Sequence, residues 1–359
     1  MKKKVAVLMS GGVDSSVAAY LLLEKGYSVI GVTLKLWECN NLLESQKQLC
    51  CSPKDIYDAK TVCSQLGIKH YVLNFSNEFN KHIINNFCEK YLCGFTPNPC
   101  IWCNEKIKFG VVFDKLKTLF NIDFIATGHY AKIVFYKGKY FVSKAKDETK
   151  DQSYFLCSIP KNILPNVLFP LGDYTKQEVR KIANYIRLKV ASKKESFDIC
   201  FIPDGDYAKF IISKGYNVNK GKILDYHTKK FLGYHKGYIF YTIGQRRKLG
   251  LKGSLSRMYV VKIQPQTNTV YVGTEKDLYS KELYISNPVL YEDNLTKINK
   301  LRIFCKIRYK SVPVKCKVNK IDDSKLKIMF DQPVKAVTKG QYAVVYDDIG
   351  RILISGEII

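Results

Sequence analysis

The sequence predicts an α/β protein: a parallel-sheet amino-terminal domain over 1–205, a small central β-rich domain over 206–283 and a carboxy-terminal β-barrel over 284–359. Three observations predict it. Short apolar runs alternate with helix-patterned stretches through the first part of the chain. Near Pro203-Asp204-Gly205 that alternation gives way to short aromatic and β-branched runs broken by glycine. The last stretch repeats such runs with turn pairs between them, as small antiparallel barrels do.

Val5-Ala6-Val7-Leu8 is a short buried strand that leads straight into a glycine turn. Residues 16–25 carry Val17, Tyr20 and Leu21 at helical spacing, and Gly26 stops that helix. A strand follows over 28–32, then a helix over 55–66 closed by Gly67 and a strand over 70–73. A helix over 109–120 precedes a strand over 122–126 that ends at Thr127-Gly128. Such units make a parallel sheet whose ligands lie at the carboxyl ends of the strands, and Ser10 and Gly128 both follow such ends. Further along, 238–241, 259–261 and 270–272 read as strands.

Charge narrows the partner. Fifty-eight Lys and Arg against 32 Asp and Glu leave a net charge of +26, which favours a polyanion over a small acidic metabolite. Two windows, 226–274 and 294–321, contain no carboxylate at all. The first includes Arg246-Arg247-Lys248, and the second Arg302, Lys306, Arg308 and Lys310. Interleaved tyrosines and phenylalanines suit phosphate contact plus base stacking, so nucleic acid is the expected partner. No apolar stretch approaches the roughly 20 residues that span a bilayer. The basic start Lys2-Lys3-Lys4 precedes an apolar run too short for a secretion signal. Twelve cysteines without such a signal predict reduced thiols in a cytoplasm.

After the first strand come Ser10-Gly11-Gly12-Val13-Asp14-Ser15-Ser16 and then a helix. The glycines let the backbone approach an anion, and the helix offers unpaired N–H groups and its positive dipole end to a phosphate. The serines add hydroxyls, and Asp14 is a candidate to help hold Mg2+. Without Gly-Lys-Ser/Thr this is not a Walker loop.

A second motif, Cys100-Ile101-Trp102-Cys103, follows Thr96-Pro97-Asn98-Pro99 and precedes a helix. A CxxC pair in this setting suits a thiolate nucleophile or a metal ligand; with no second CxxC, a four-cysteine zinc site is not expected. Cys200 closes the α/β part. Cys63, Cys88, Cys305 and Cys316 read as core filler or loop residues, and Cys50-Cys51 as structural or incidental rather than functional.

The loop from Ser10 to Ser16 is similar to the pyrophosphate-binding loop of the N-type ATP pyrophosphatases. The CxxC segment through Asn104-Glu105-Lys106-Ile107-Lys108-Phe109 resembles the nucleophile loop of bacterial tRNA-specific 2-thiouridylases. So do Ala126-Thr127-Gly128-His129-Tyr130-Ala131, Lys150-Asp151-Gln152-Ser153-Tyr154-Phe155-Leu156, Ile199-Cys200-Phe201-Ile202, Tyr241-Thr242-Ile243-Gly244-Gln245-Arg246-Arg247 and Gly340-Gln341-Tyr342. The match runs in order over essentially the whole chain.

That resemblance implies an adenine nucleotide alpha hydrolase-like catalytic domain followed by two tRNA-binding domains. It implies ATP-dependent replacement of O2 of the wobble uridine by sulfur in tRNAs for Lys, Glu and Gln, with AMP and pyrophosphate as products. ATP and Mg2+ are the implied cofactors, and a cysteine desulfurase or sulfur-relay protein the implied donor. Cys200 would carry a persulfide, and Cys103 would be the thiol that attacks it or closes a disulfide with it. Leu8, Met9, Ser10, Gly11, Gly12, Val13, Asp14 and Ser15 would surround the phosphates, with Leu34 and Gly128 against the adenine. Asn98, Pro99 and Cys100 would touch the target base. His129, Lys150, Asp151, Gln152, Arg308, Tyr309 and Gln341 would contact the anticodon arm. Some members carry Asp where this chain has Cys100, so an alternative is a [4Fe–4S] cluster on Cys100, Cys103 and Cys200. Two rivals are a small-molecule synthetase using the same loop and a non-catalytic RNA-binding protein; the acid-free windows oppose the first and the intact loop the second.

Overall fold

The computed structural model describes residues 2–37, 52–193, 199–202, 204–251 and 257–359. Cys50-Cys51 and Pro203 lie outside them. The chain divides into two compact units: Met1–Ile84 with Pro99–Gly205 and Gly350–Ile352, and Asn85–Asn98 with Asp206–Ile349 and Leu353–Ile359.

The first unit is built on a parallel sheet. β1 (Lys4–Leu8), β2 (Ser28–Lys35), β3 (His70–Asn74), β4 (Phe124–Ala126) and β7 (Val167–Leu168) lie in the order β3-β2-β1-β4-β7. β1 is central, with Val7 opposite Gly31 on one side and Ala126 on the other. A strand covered on both faces must be apolar throughout, and Val5, Ala6 and Val7 are fully buried. Helices α1 (Val13–Glu24) and α2 (Pro53–Gln65) follow β1 and precede β3. Val17, Ala18 and Leu22 of α1 join Val62 of α2 in this core. α2 approaches β2 so closely that a side chain at Gly31 would lie 2.4 Å from the Cys63 sulfur. A hairpin, β5 (Lys132–Tyr136) and β6 (Lys139–Ser143), stands outside the sheet.

The predicted helix over 109–120 differs in the structure. A π-helix occupies Cys103–Val111, and the α-helix α3 (Val112–Phe120) continues from it. Gly110 leaves helical geometry at the join, where a β-carbon would meet the Glu105 carbonyl oxygen at 3.0 Å. The kink at Gly110 divides the stretch, and its first helical piece begins on Cys103. Helix α4 (Lys176–Tyr185) then packs Val179 and Ala183 into the core beside α1.

The second unit holds two β assemblies. A four-stranded sheet runs β10 (Tyr259–Gln264), β11 (Thr269–Gly273), β8 (Gly221–Asp225), β9 (Phe231–His235). A closed barrel runs β12-β15-β14-β13-β16-β17, from β12 (Tyr279–Leu290), β13 (Ile303–Lys306), β14 (Val314–Lys320), β15 (Lys325–Lys335), β16 (Tyr342–Asp347) and β17 (Ile352–Ile358). The predicted strand over 238–241 is instead a 3-10 turn, Tyr238–Phe240. Gly237 takes φ 143, its N–H donates to His235 Nδ1, and the Tyr238 hydroxyl donates to the Leu92 carbonyl. Glycine geometry thus overrides a strand-like aromatic run.

Candidate active site

The loop after β1 is held from three directions. Met9 N–H donates to the Val32 carbonyl, which keeps the chain in line with β2 past the end of β1. Gly11 takes φ 69, and a β-carbon there would lie 2.3 Å from the Asp55 carbonyl oxygen at the start of α2. The Ser15 hydroxyl accepts from the Ser10 N–H and shares a bond with the Ser10 hydroxyl, both at 3.2 Å. The Ser16 hydroxyl donates to the Gly12 carbonyl at 2.8 Å. Gly12 is the N-cap of α1 and supplies no side-chain cap, so the first-turn amides keep their capacity for an anion.

Gly128 explains why β4 ends in glycine. A β-carbon there would lie 2.6 Å from the Asp14 carbonyl carbon and the Ser15 nitrogen, so the backbone after β4 sits directly on the loop. Gly128→Ala must displace one of two backbones. We expect ATP affinity to fall about tenfold with little change in melting temperature, read by nucleotide titration of both proteins. Unaltered affinity would mean that this approach does not shape the loop.

Two lysines that sequence reasoning missed complete the loop's surroundings. Lys176, the first residue of α4 and 8% exposed, donates to both Asp14 carboxylate oxygens at 2.7 and 2.8 Å. Its helix starts in a capping box, Thr175 with Glu178. Bonds from the Thr175 N–H, Lys146 and the Thr175 hydroxyl hold the Glu178 carboxyl down at about 2. Lys193 donates to the Gly11 carbonyl at 2.9 Å, to Asp55 at 2.7 Å and to Asp58 at 2.5 Å. Asp14 also accepts the Tyr130 hydroxyl at 2.9 Å. With an ammonium on both oxygens, Asp14 does not fit a magnesium ligand in this arrangement.

A bonded path joins this loop to the CxxC segment. Tyr130 N–H donates to the Gln152 side chain at 3.0 Å, and Gln152 N–H to the Tyr130 carbonyl at 2.8 Å. Phe155 N–H donates to the Gln152 carbonyl, and the Phe155 carbonyl accepts the Asn104 side-chain amide at 2.8 Å. Asn104 adjoins Cys103, which is 8% exposed. A second link is aromatic: Phe109 of the π-helix meets Phe169 edge-on at 5.8 Å, and Phe169 meets His129 at 6.2 Å. His129 bonds Thr127 at 2.7 Å; burial, aided by the nearby Lys108 charge, holds it well below the usual imidazole range, so it is neutral.

Cys200 is half-buried, and the neighbouring Phe201 packs edge-on against Phe79 at 5.7 Å. Cys103 and Cys200 are thiols, not a disulfide. The core cysteines behave as filler: burial pushes Cys63 and Cys316 up to about 12. Among the described residues no three His, Cys, Asp or Glu side chains gather to hold a metal ion. Cys100, Cys103 and Cys200 do not form such a group in this structure.

Several expected tRNA contacts have structural partners. Asp151 is buried and accepts from the Ala145 and Ser153 N–H groups and the Ser153 hydroxyl. Arg308 donates to the Ile243 and Ala336 carbonyls at 3.1 and 2.8 Å and to the Thr338 hydroxyl. Gln341 donates to the Thr96 carbonyl at 2.7 Å. Pro99 opens the short helix Pro99–Trp102, with Asn98 just before it and Cys100 within it. Lys150 N–H bonds the Asp147 carbonyl, and Tyr309 lies under the Lys306 ammonium at 5.7 Å. Leu8 and Leu34 end buried at the carboxyl side of β1 and β2.

A parallel sheet whose central strand empties into a Ser-Gly-Gly-Val-Asp-Ser loop at a helix start defines an ATP-utilising enzyme of the pyrophosphatase-loop class. Family models agree along the chain: a tRNA methyl transferase HUP domain over residues 3–204, a tRNA methyl transferase PRC-barrel domain over 209–274 and an aminomethyltransferase beta-barrel domain over 280–358. A tRNA-specific 2-thiouridylase MnmA of Clostridium botulinum (strain Alaska E43) is 44% identical over 361 residues, covering 100% of this chain and 98% of its own. One of Clostridium acetobutylicum is also 44% identical, covering 100% of both chains. The chain belongs to the tRNA-specific 2-thiouridylase family.

Proposed function

We propose that this protein replaces O2 of the wobble uridine by sulfur in tRNAs for Lys, Glu and Gln, using ATP and a Cys200 persulfide, in a cytoplasm. The observation that carries the mechanism is the bonded path from Asp14 through Tyr130, Gln152 and Phe155 to Asn104, which couples the nucleotide loop to the Cys103 segment.

In this reading the uridine O2 attacks the α-phosphorus of ATP and pyrophosphate leaves. The α1 amides, the loop hydroxyls and the nearby Lys176 ammonium favour the charge that builds on the leaving group. Magnesium bound to the nucleotide's phosphates would supply further charge neutralisation there. C2, now bearing a good leaving group, is attacked by the terminal sulfur of the Cys200 persulfide, and AMP departs. The Cys103 thiolate then attacks the Cys200 sulfur. The S–S bond to the base breaks, 2-thiouridine is released and a Cys103–Cys200 disulfide forms. An external dithiol reduces that disulfide, and a cysteine desulfurase or sulfur-relay protein reloads Cys200. The two domains over 206–283 and 284–359 clamp the anticodon arm, with Asn98, Pro99 and Cys100 at the base.

The test is mass spectrometry of wobble nucleosides from tRNA incubated with the protein, ATP, magnesium and a persulfide donor. We expect 2-thiouridine that requires both tRNA and ATP. Pyrophosphate release on a small acceptor without tRNA, and no thiolated nucleoside, would overturn the reading.

A further inference from the structure

The four-stranded sheet of the second unit has one face that its core does not use. Ile223, Val260, Val270 and Val272 point inward and make a small apolar cluster with Tyr241 and Leu249. Side chains alternate across a strand, so the residues between them face the other way. The register then builds one row: Phe231 lies opposite Leu224, Leu224 opposite Tyr271, and Tyr271 opposite Lys262. Beside it Tyr234 lies opposite Lys222. A register shift near Leu232 keeps Phe231 and Tyr234 on the same side, and their rings meet at 5.0 Å.

The result is a surface of rings and ammonium groups. Phe231 is 47% and Tyr234 58% exposed, although large aromatic side chains usually bury such area. Lys220 stands 4.6 Å from the Tyr234 ring; Lys229 and Lys262 stand 5.1 and 5.5 Å from Tyr271. The nearest acid in sequence, Asp225, is spent on its own turn, accepting from the His227 and Thr228 N–H groups and the Thr228 hydroxyl. No carboxylate follows until Glu275. Phosphates need the lysines and planar bases need the rings; RNA offers both, whereas an acidic protein would leave the exposed rings unused.

We propose that this outer face of β10-β11-β8-β9 is an RNA-binding platform that stacks unpaired tRNA bases on Phe231, Tyr234 and Tyr271 and holds the adjoining phosphates with Lys220, Lys222 and Lys262. It rests on the reading of tRNA as substrate and adds a contact surface beyond the residues assigned above.

The experiment measures tRNA dissociation constants over a salt series for the wild-type chain, Phe231→Ser/Tyr234→Ser and Lys222→Glu/Lys262→Glu. The aromatic variant is expected to bind about tenfold more weakly at every salt concentration, since stacking is not ionic. The charge variant should lose about 1.5 from the slope of log affinity against log salt. Wild-type affinity and slope in both variants would overturn the platform while leaving the proposed function intact. Wild-type protein that binds no tRNA would instead overturn the proposed function. Should either variant melt early, photocrosslinking of wild-type protein to tRNA decides: crosslinked peptides within 220–271 support the platform, and their absence refutes it.

Discussion

Cys200→Ser is expected to abolish thiolation, by on the order of a thousandfold or more, while leaving tRNA-dependent pyrophosphate release in a single turnover. Adenylation of O2 uses only the loop and the base, so it precedes any demand on sulfur. Cys103→Ser should stop the reaction later, with the base still joined to Cys200 through the disulfide that Cys103 cannot open. The double variant should be no worse than either single one, because groups that act in sequence on one atom are not additive. Cys63→Ala and Cys316→Ala are controls; burial keeps both as protonated thiols, and neither lies on the path from the loop. Cys100→Ser separates the chemistries: it should retain substantial activity under the persulfide mechanism, and it could not do so if three thiols shared a cluster. Mass spectrometry of the product nucleoside and of the trapped Cys200 peptide reads all of these. Full thiolation by Cys200→Ser would sink the assignment.

The strands and the nucleotide loop were legible because both are local. An apolar run of four residues, two glycines and a serine-rich helix start state their geometry within about ten positions. What escaped was long-range. Lys176 reaches Asp14 from 162 positions away and Lys193 reaches Gly11 from 182, and neither contact can be read from neighbouring residues among 58 basic ones. One clue existed: Thr175-Lys176-Gln177-Glu178 is a capping box, which places Lys176 at a helix start. The π-helix was missed for a different reason. Apolar spacing distinguishes a helix from a strand, but Ile107, Phe109 and Val112 fit an α-pattern well enough to hide one extra residue per turn. Arg308 and Gln341 carry charge and amide groups suited to RNA, yet each is engaged by backbone carbonyls, and a sequence does not distinguish the two uses.

Lys193→Met is expected to destabilise the first unit by about 3 kcal/mol, because removing one partner of a largely buried ionic group strands the others. The Lys193, Asp55 and Asp58 side chains are 17%, 11% and 21% exposed, so water would compensate two orphaned carboxylates only in part. The melting temperature should fall by about 6–10 °C. Gly11, no longer held through its carbonyl, should also bind ATP less tightly. The pH dependence fixes the cause. Burial alone would lower the Lys193 ammonium, but its bonds to Asp55 and Asp58 outweigh that and raise it above 10.5. A cation raised on folding stabilises fully below its unfolded value and loses that contribution only as pH rises through the folded one. The wild-type advantage over Lys193→Met should therefore stay constant from about pH 6 to 9 and shrink only in stronger alkali. Lys193→Arg, which keeps the charge, should recover much of the difference. Thermal melts of the three proteins across that range test this: a loss below about 1 kcal/mol would reclassify the group as a solvated surface pair. A deficit that the arginine does not repair would mean that the compact ammonium, with three donors on one nitrogen, is what this corner of the loop requires.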